Sequence, residues 1–585
     1  MWTARVSTVE KIKLESNYLR GNLESELAGH TPEFTNDSIV LLKFHGIYQQ
    51  DDRDVRRERS AKRLPLDYSC MVRAAVAGGI ITPDQWLALD QVSEITDGTL
   101  RLTTRQGVQF HVVLKDNLHQ LVHDINETLL STLAACGDVV RNIMANPFPD
   151  KRQEIIQPVL QQLVQRFRPQ TTSYWEIWVD GDKAVTAEAN LSPEKIEPVY
   201  GETYLPRKFK IGIAWPGDNS IDIYTQDVGI VPTLRDGTSG DLTGFVIYAG
   251  GGLGMTHARE EDTYPRLASE LGWVTPDQVV NVVEAIVTTQ RDHGNRVDRH
   301  RARLKYLIDE MGVDWLIAQI QERSSVALSR APKIPTWDSA DYHGWNSTGP
   351  TFAYGLPIPS GRVADREGIS LRSALRALAQ SGLIESFIIT PRQDLLISGV
   401  NSTDRPAVEA ILRARGVPLA DNVSALARLS IACPALPTCG QALGEAERVL
   451  PKLVDTLDEL LANAGIEGSA IRLNMTGCPN GCSRPYTAEI GIVGRTKTNY
   501  DVYLGGSVGG ERLAERLRAN VALADIPALL TPVFARYAND STPSESFGDY
   551  CNRVGTEELI AILPPPTVRR RRDPAPLSAE TNGKA

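Results

Sequence analysis

Two periodicities alternate along the chain from about residue 76. In AGGIITPDQWLALDQVSEI a glycine-bearing turn leads into apolar positions spaced three and four apart, which predicts an amphipathic helix. TLRLTTRQGVQFHVV alternates apolar and polar residues and predicts one strand, with residues 101, 103, 105 and 109 on a common face. The same order returns later. GISLRSALRALAQSG predicts a helix and ESFIITPRQDLLISGV the strand after it, so Thr104, Arg105 and Gln106 are echoed by Thr390, Arg392 and Gln393. A second echo pairs GFVIYAGGGLG (244–254) with YDVYLGGSVGG (500–510), each an apolar strand running into glycines. Two echoes in one order predict a duplicated chain with two-fold pseudosymmetry and a site between its halves. The glycines would allow a backbone to cradle an anionic group, although taken alone they are better read as turns.

The flanks lack this regularity. Residues 1–63 are polar and charged, as in YQQDDRDVRRERSAKR, and read as an arm laid over the rest. RRRRDPAPLSAETNGKA at the other end is Pro-rich and polar and reads as a disordered basic tail, 566–585.

Composition narrows the class. At 585 residues the chain exceeds what one core serves and can enclose a large cofactor. It is 42% hydrophobic and 23% charged, with no apolar run long enough to span a membrane. The first residues lack the apolar core of a secretory signal, so the cytoplasm is the expected location. A net charge of -10 argues against nucleic-acid affinity, which would rest on RRRR alone. No G-x-G-x-x-G in a strand–helix context and no flavin or NADPH module is present, so electrons for any redox chemistry must come from another protein.

Four of the seven cysteines are gathered in ACPALPTCG and TGCPNGCSRP: Cys433, Cys439, Cys478 and Cys482. The spacing is C-x5-C, 38 residues, then C-x3-C. Zinc sites usually place two residues between paired thiols, whereas a cubane cluster accepts wider, unequal spacing, so 4Fe-4S is favoured over zinc. Pro434, Pro437, Pro479, Gly477 and Gly481 keep both segments out of helix and expose N–H groups to cluster sulfurs. Between them GEAERVLPKLVDTLDELLANAG predicts a helix, and IRLNM a strand that delivers the second pair. Cys70, Cys136 and Cys551 stand alone. Cys70 and Cys136 precede Arg73 and Arg141 by a few residues, and inert packing is favoured for both over a redox pair.

With KIKLESNYLRGN, KFHGIYQQDDRD, LRLTTRQ, TYLPRKFK, VTTQRDHGNR and TGCPNGCSRP in order, residues 10–565 resemble the sulfite and nitrite reductases that contain sirohaem and a 4Fe-4S cluster, the assimilatory sulfite reductase haemoproteins above all. The resemblance implies an α+β, pseudo-two-fold fold. After the arm come ferredoxin-like half-domains at 64–134 and 335–412, a sirohaem and substrate domain at 135–334, and its repeat at 413–565, which binds cluster and sirohaem. It implies that Cys433, Cys439, Cys478 and Cys482 hold the cluster, with Cys482 also the axial ligand of the sirohaem iron. It further implies that Arg101, Arg105 and His111 meet the sirohaem carboxylates, and that Arg73, Arg141, Lys208 and Lys210 bind the anionic substrate.

The implied reaction is six-electron reduction of sulfite to hydrogen sulfide. The electron donor is either an NADPH-oxidising flavoprotein, which YQQDDRD resembles, or ferredoxin, which TTRQ, ACGD and CSRPY resemble. Nitrite reduction to ammonia on the same cofactors is the alternative. A non-catalytic iron–sulfur protein is a third reading, opposed by the presence of all four substrate-site cations.

Overall fold

A computed structural model describes residues 6–171, 178–179, 182–183, 196–338 and 340–565; the tail expected at 566–585 lies outside these. Four five-stranded sheets organise the chain. The first runs Ile47–Asp51, Tyr68–Ala74, Val108–Val113, Leu100–Leu102 and Arg362–Val363. The second runs Gly344–Ser347, Phe352–Leu356, Leu395–Val400, Ser386–Ile389 and Ile80–Ile81. Each therefore ends on a short strand taken from the other half. This exchange gives the duplication a physical form, because neither sheet is complete without the other's chain.

The stretches expected as single strands are hairpins. Thr103 N donates to Gly107 O and Thr390 N to Asp394 O, closing turns between Leu100–Leu102 and Val108–Val113, and between Ser386–Ile389 and Leu395–Val400. Gln106 and Gln393 take left-handed backbones, φ 53° and 72°, and their amides reach across to Ile389 O and Leu102 O respectively. Alternation alone cannot reveal such a turn, since its residues are polar and apolar in nearly the same order as a strand. The register also matches Thr390 to Thr103 rather than to Thr104. Helices Pro83–Val92 and Leu371–Gln380 are where the periodicity placed them, the first closed by a Thr82–Gln85 capping box. Arg372 and Arg376 of the second helix both pair with Asp90 of the first.

The two larger sheets share a topology. Met144–Ala145, Ile211–Ile213 and Val228–Leu234 are parallel, and Leu242–Ala249 and Ser269–Val274 complete the sheet antiparallel. Ser430–Ala432, Leu473–Thr476 and Ile490–Gly494 repeat the parallel part, with Asn499–Leu504 and Glu515–Ala522 the antiparallel part. The predicted helix before the second cysteine pair is Leu450–Asn463, and IRLNM feeds Leu473–Thr476 as expected. The last sheet has its own core, separate from the one shared by the other elements.

The N-terminal segment is more than a covering arm. Ile47–Asp51 is an edge strand of the first sheet, and Lys13 is fully buried, contacting Glu10, Leu205 O (2.8 Å) and Asp138 (3.8 Å). Arg296 pairs with Glu10 and Arg299 with Asp138, so the segment is pinned by charges that must be paired once buried.

At the entry to the second half-domain His343 is held between two carboxylates, Asp341 (2.5 Å) and Asp394 (3.2 Å), and Arg428 lies 3.6 Å from Asp341. Burial alone would lower its pKa, but Asp394 and Asp341 outweigh it and raise it to about 9. A raised histidine stabilises fully below its unfolded value of about 6.5 and loses that contribution as pH rises through 9. Thermal unfolding should therefore show a stability loss of up to about 3 kcal/mol over that window, flattened in His343→Gln.

Candidate functional site

Cys433 follows Ser430–Ala432, and Cys478 and Cys482 follow Leu473–Thr476, so three of the four thiols leave the carboxyl ends of adjacent parallel strands. This is the end of a parallel sheet where α/β folds place ligands. Gly477 N donates to Cys433 Sγ at 3.2 Å, and Asn480 Nδ2 approaches Cys478 Sγ at 3.5 Å. A Cβ on Gly477 would come within 2.6 Å of Ala435, so only glycine lets the two cysteine loops lie together. Burial first, and then the neighbouring thiols with Cys482 foremost, raise Cys433 to about 12 and raise Cys439 and Cys478 as well. Among the described residues no three His, Cys, Asp or Glu side chains close on one ion-sized point. Four thiols that influence one another without converging on a single ion fit a multi-iron body better than zinc. Buried thiols held neutral also call for a cationic metal group to take them as thiolates.

Cations gather on the other side of Cys482. Arg73, Gln109, Arg101 and Arg362 form a row across four strands of the first sheet, since Arg73 and Arg101 both pair with Gln109 and Arg362 with Arg101. Turned toward Arg73, the Gln109 amide oxygen accepts from Nε at 3.2 Å. Arg101 is already engaged, by Glu447 (3.0 Å) and Ala432 O (2.8 Å), and so braces the strand leading to Cys433. His111 is buried on the same face; both ring nitrogens lack a partner among the described residues, and burial with Arg362, Arg101 and Arg73 keeps it neutral.

Arg105 sits in the Thr103–Gly107 turn and donates to Asn142 O at 3.2 Å, its pKa lowered to about 9 by burial and by Arg141. Arg141 is held by Gly137 O at 3.2 Å and by the Tyr48 hydroxyl. Lys208 and Lys210 flank the buried Phe209, whose backbone carbonyl accepts from Arg141 N, and the strand proper begins only at Ile211. Among the described residues neither ammonium has a hydrogen bond or ion pair. Burial, and then arginines 207, 141, 105 and 303, push both far below the usual lysine range. The acids inside this group are Asp227, which accepts from Arg303 (2.6 Å) and from Lys210 N (2.9 Å), and Asp138, which pairs with Arg299 and lies near Arg141 and Arg207. So many cations around so few anions form a site for a strongly anionic ligand.

The Cys482 thiol is near enough to raise the pKa of Lys208 and Lys210 as well as those of the other three cysteines. It stands where the sulfur group and the cation group meet. Met255 N donates to Pro479 O at 3.0 Å, so the first glycine run packs directly on the CPNGC loop of the second half. Of the lone thiols, Cys136 accepts from Arg73 Nη1 at 2.8 Å and lies at the site, whereas Cys70 points into the core on the opposite face of its strand. Tyr48, Arg207, Asp227 and Arg303 were not singled out from sequence; each reads alone as an ordinary surface or core residue.

Comparison with known proteins places the chain in a family. The sequence matches the nitrite and sulphite reductase 4Fe-4S domain over residues 162–328, and the nitrite/sulfite reductase ferredoxin-like half domain over 66–128 and 346–415. It is 44% identical over 563 residues to the sulfite reductase [NADPH] hemoprotein beta-component of Paenibacillus sp. (strain JDR-2), covering 95% of this chain and 96% of that one. The chain belongs to the nitrite and sulphite reductase family. A second member, the protein of the same description from Xanthomonas euvesicatoria pv. vesicatoria, is 43% identical over 571 residues, 96% of this chain and 98% of that one. The family fold extends to a solved structure, the NirA protein of Mycobacterium tuberculosis, at TM-score 0.76 and 22% identity, covering 95% of this chain and 98% of that one. The family's 4Fe-4S domain match at 162–328 contains none of the seven cysteines. The four clustered cysteines stand instead in the second copy of the same sheet topology.

Proposed function

We infer that the protein is the haemoprotein component of a sulfite reductase, reducing sulfite to hydrogen sulfide on a sirohaem joined through Cys482 to a 4Fe-4S cluster. The single observation that carries this reading is the meeting of the two cysteine loops, where Gly477 N donates to Cys433 Sγ, with the Arg105 turn, where Thr104 Oγ1 donates to Cys482 O. Cys433, Cys439, Cys478 and Cys482 would hold the cluster, and Cys482 would also serve the haem iron. Arg105 and His111 would meet the haem carboxylates; Arg101 would join them by sharing its bond with Glu447. When bound, the two cofactors supply the electrons.

Every remaining part of the chemistry falls to side chains. Arg73 and Arg141 would orient and polarise the anion, each held in place from behind by Cys136 or by Gly137 O. Lys208 and Lys210, their pKa values lowered by burial, are suited to give protons to oxygen leaving as water. In domain terms we assign the half-domains to 64–134 and 335–412 and the larger units to 135–334 and 413–565. The named relatives favour an NADPH-oxidising flavoprotein over ferredoxin as donor. Seven free cysteines suit a reducing cytoplasm, and among the described residues no helix is long and apolar enough to cross a membrane.

The deciding experiment is turnover of cofactor-loaded protein with a reduced viologen dye, comparing sulfite with nitrite and assaying sulfide and ammonia. A higher kcat/KM for sulfite with sulfide released is expected. Preference for nitrite would overturn the substrate, and turnover of neither would leave a non-catalytic iron–sulfur protein.

A further inference from the structure

The two larger sheets can be superposed residue by residue from their registers. Val228 pairs with Ile211 as Ile490 pairs with Leu473, and Asp227 accepts from Lys210 N as Glu489 accepts from Arg472 N, both at 2.9 Å. In this alignment Ser220 occupies the place of Cys482, and Asp222 that of Arg484. Asp222 and Arg484 have the same left-handed backbone, φ 51° and 57°, and each precedes a short 3-10 turn, Ile223–Thr225 and Pro485–Thr487.

The mirror image of the site is closed. Gly355 stands there where Arg73 stands in the first half, because Gly355 pairs with Leu396 as Arg73 pairs with Gln109. The remaining cavity, lined by Ser220, Tyr342, His343, Gly355 and Arg392, has a volume of about 20 Å³. That is room for about one water. The duplicated loops thus serve one site only, and their meeting point has taken another use.

At that meeting point Asp222 ion-pairs with Arg484, both side chains about nine-tenths buried. Two copies of one position brought together by a pseudo-dyad would repel if they carried the same charge; here they carry opposite ones. Arg484 does more than pair. Its Nη2 donates to Pro391 O at 2.8 Å and its Nη1 to Thr104 O at 3.3 Å, so it ties its loop to both copies of the hairpin turn. Thr104 Oγ1 in turn donates to Cys482 O at 3.1 Å, and Arg484 O accepts from Asn474 Nδ2 at 3.0 Å. The short segment Cys482–Arg484 is therefore located from the Arg105 turn on one side and from Asp222 on the other.

We propose that Asp222 and Arg484 are a positioning pair: Asp222, acting through the Arg484 guanidinium, fixes where the Cys482 thiolate lies between the cluster cysteines and the cation group. The proposal rests on the reading of Cys482 as the shared ligand. A buried arginine with three separate acceptors holds a segment rigidly only if its charge is met, and Asp222 is the carboxylate that meets it.

The test uses cofactor-loaded Asp222→Asn, Asp222→Glu, Arg484→Lys and the Asp222→Asn/Arg484→Lys double variant. Readouts are sirohaem and iron content, the spectroscopic signature of magnetic coupling between haem and cluster, and kcat and KM with a reduced dye. Asp222→Asn and Arg484→Lys are each expected to keep both cofactors, alter the coupling signature, and lower kcat about 10- to 100-fold with little change in KM, the scale on which support of a metal ligand acts. The double variant should lose no more than the worse single one, because both act along one path, and Asp222→Glu should recover most of the wild-type signature. Wild-type coupling and kcat in Asp222→Asn would overturn the proposal, as would independent, additive losses. If Asp222→Asn does not fold, Arg484→Lys and Asp222→Glu decide the matter by the same readouts. Wild-type protein that loads both cofactors without any coupling would instead overturn the reading of Cys482 itself.

Discussion

Cys482→Ser should lower dye-linked turnover at least about 10³-fold, the scale of removing a preorganised catalytic group, and should abolish the coupled spectrum of haem and cluster. The expectation follows from place rather than from residue type. Cys482 follows the strand that also delivers Cys478, and its carbonyl accepts from Thr104 Oγ1 of the Arg105 turn, so it lies between the cysteine loops and the cation group. A serine hydroxyl at that position is almost entirely protonated near neutral pH and cannot replace a thiolate that serves two metal centres. Cys551→Ser supplies the control, since Cys551 is buried in the core of the last sheet and far from this function. It should cost some stability and leave coupling intact. An unaltered haem spectrum and undiminished activity in Cys482→Ser would remove the basis for the shared-ligand assignment.

Replacing either substrate-site lysine should be nearly as damaging, by a different route. Lys208→Met and Lys210→Met keep most of the buried hydrocarbon and remove an ammonium that has no other partner among the described residues. A cation about 4 Å from a bound anion contributes on the order of 4 kcal/mol at the effective dielectric of a protein site, before the desolvation of both groups is subtracted. Losing one should therefore lower kcat/KM for sulfite about 10²- to 10³-fold, with sirohaem and iron content unchanged. The folded protein without cofactors should be no less stable for the change, because the ammonium removed has no partner among the described residues and is already disfavoured there by burial and by Arg105, Arg141 and Arg303. Full sulfite turnover in either variant, or loss of cofactor in place of loss of turnover, would place the lysines outside the substrate site.

These two outcomes also mark where the sequence could and could not be read. The helices at Pro83–Val92, Leu371–Gln380 and Leu450–Asn463 were visible because each is a local period of apolar residues. The hairpins around Thr103 and Thr390 were not, because a tight turn set by one left-handed glutamine leaves no trace in an alternating pattern. The N-terminal segment was misjudged as a mere covering arm for a related reason. Beside scattered core residues such as Leu19, Phe34 and Phe44 it is anchored by buried ion pairs, Lys13, Glu10, Arg296, Asp138 and Arg299, and ion pairs have no sequence period. Cys70 and Cys136 looked alike beside their arginines, yet one faces the core and the other accepts from Arg73.

By itself the sequence determined the duplication, the helices with a clear apolar period, and the grouping of four cysteines on two glycine- and proline-rich loops. Those features are short-range, and the chemistry of cysteine spacing is local enough to favour a cluster over zinc. The tertiary structure alone decided that each half-domain sheet borrows a strand from its twin, that Arg101 is spent on Glu447, and that Ser220 is the counterpart of Cys482 in the other copy of the loop. It also decided that Arg141 N meets Phe209 O between Lys208 and Lys210, and that Arg73 donates to Cys136. A buried charge is tolerable only when something far along the chain, or a ligand, neutralises it, and local sequence cannot say which of these will be there.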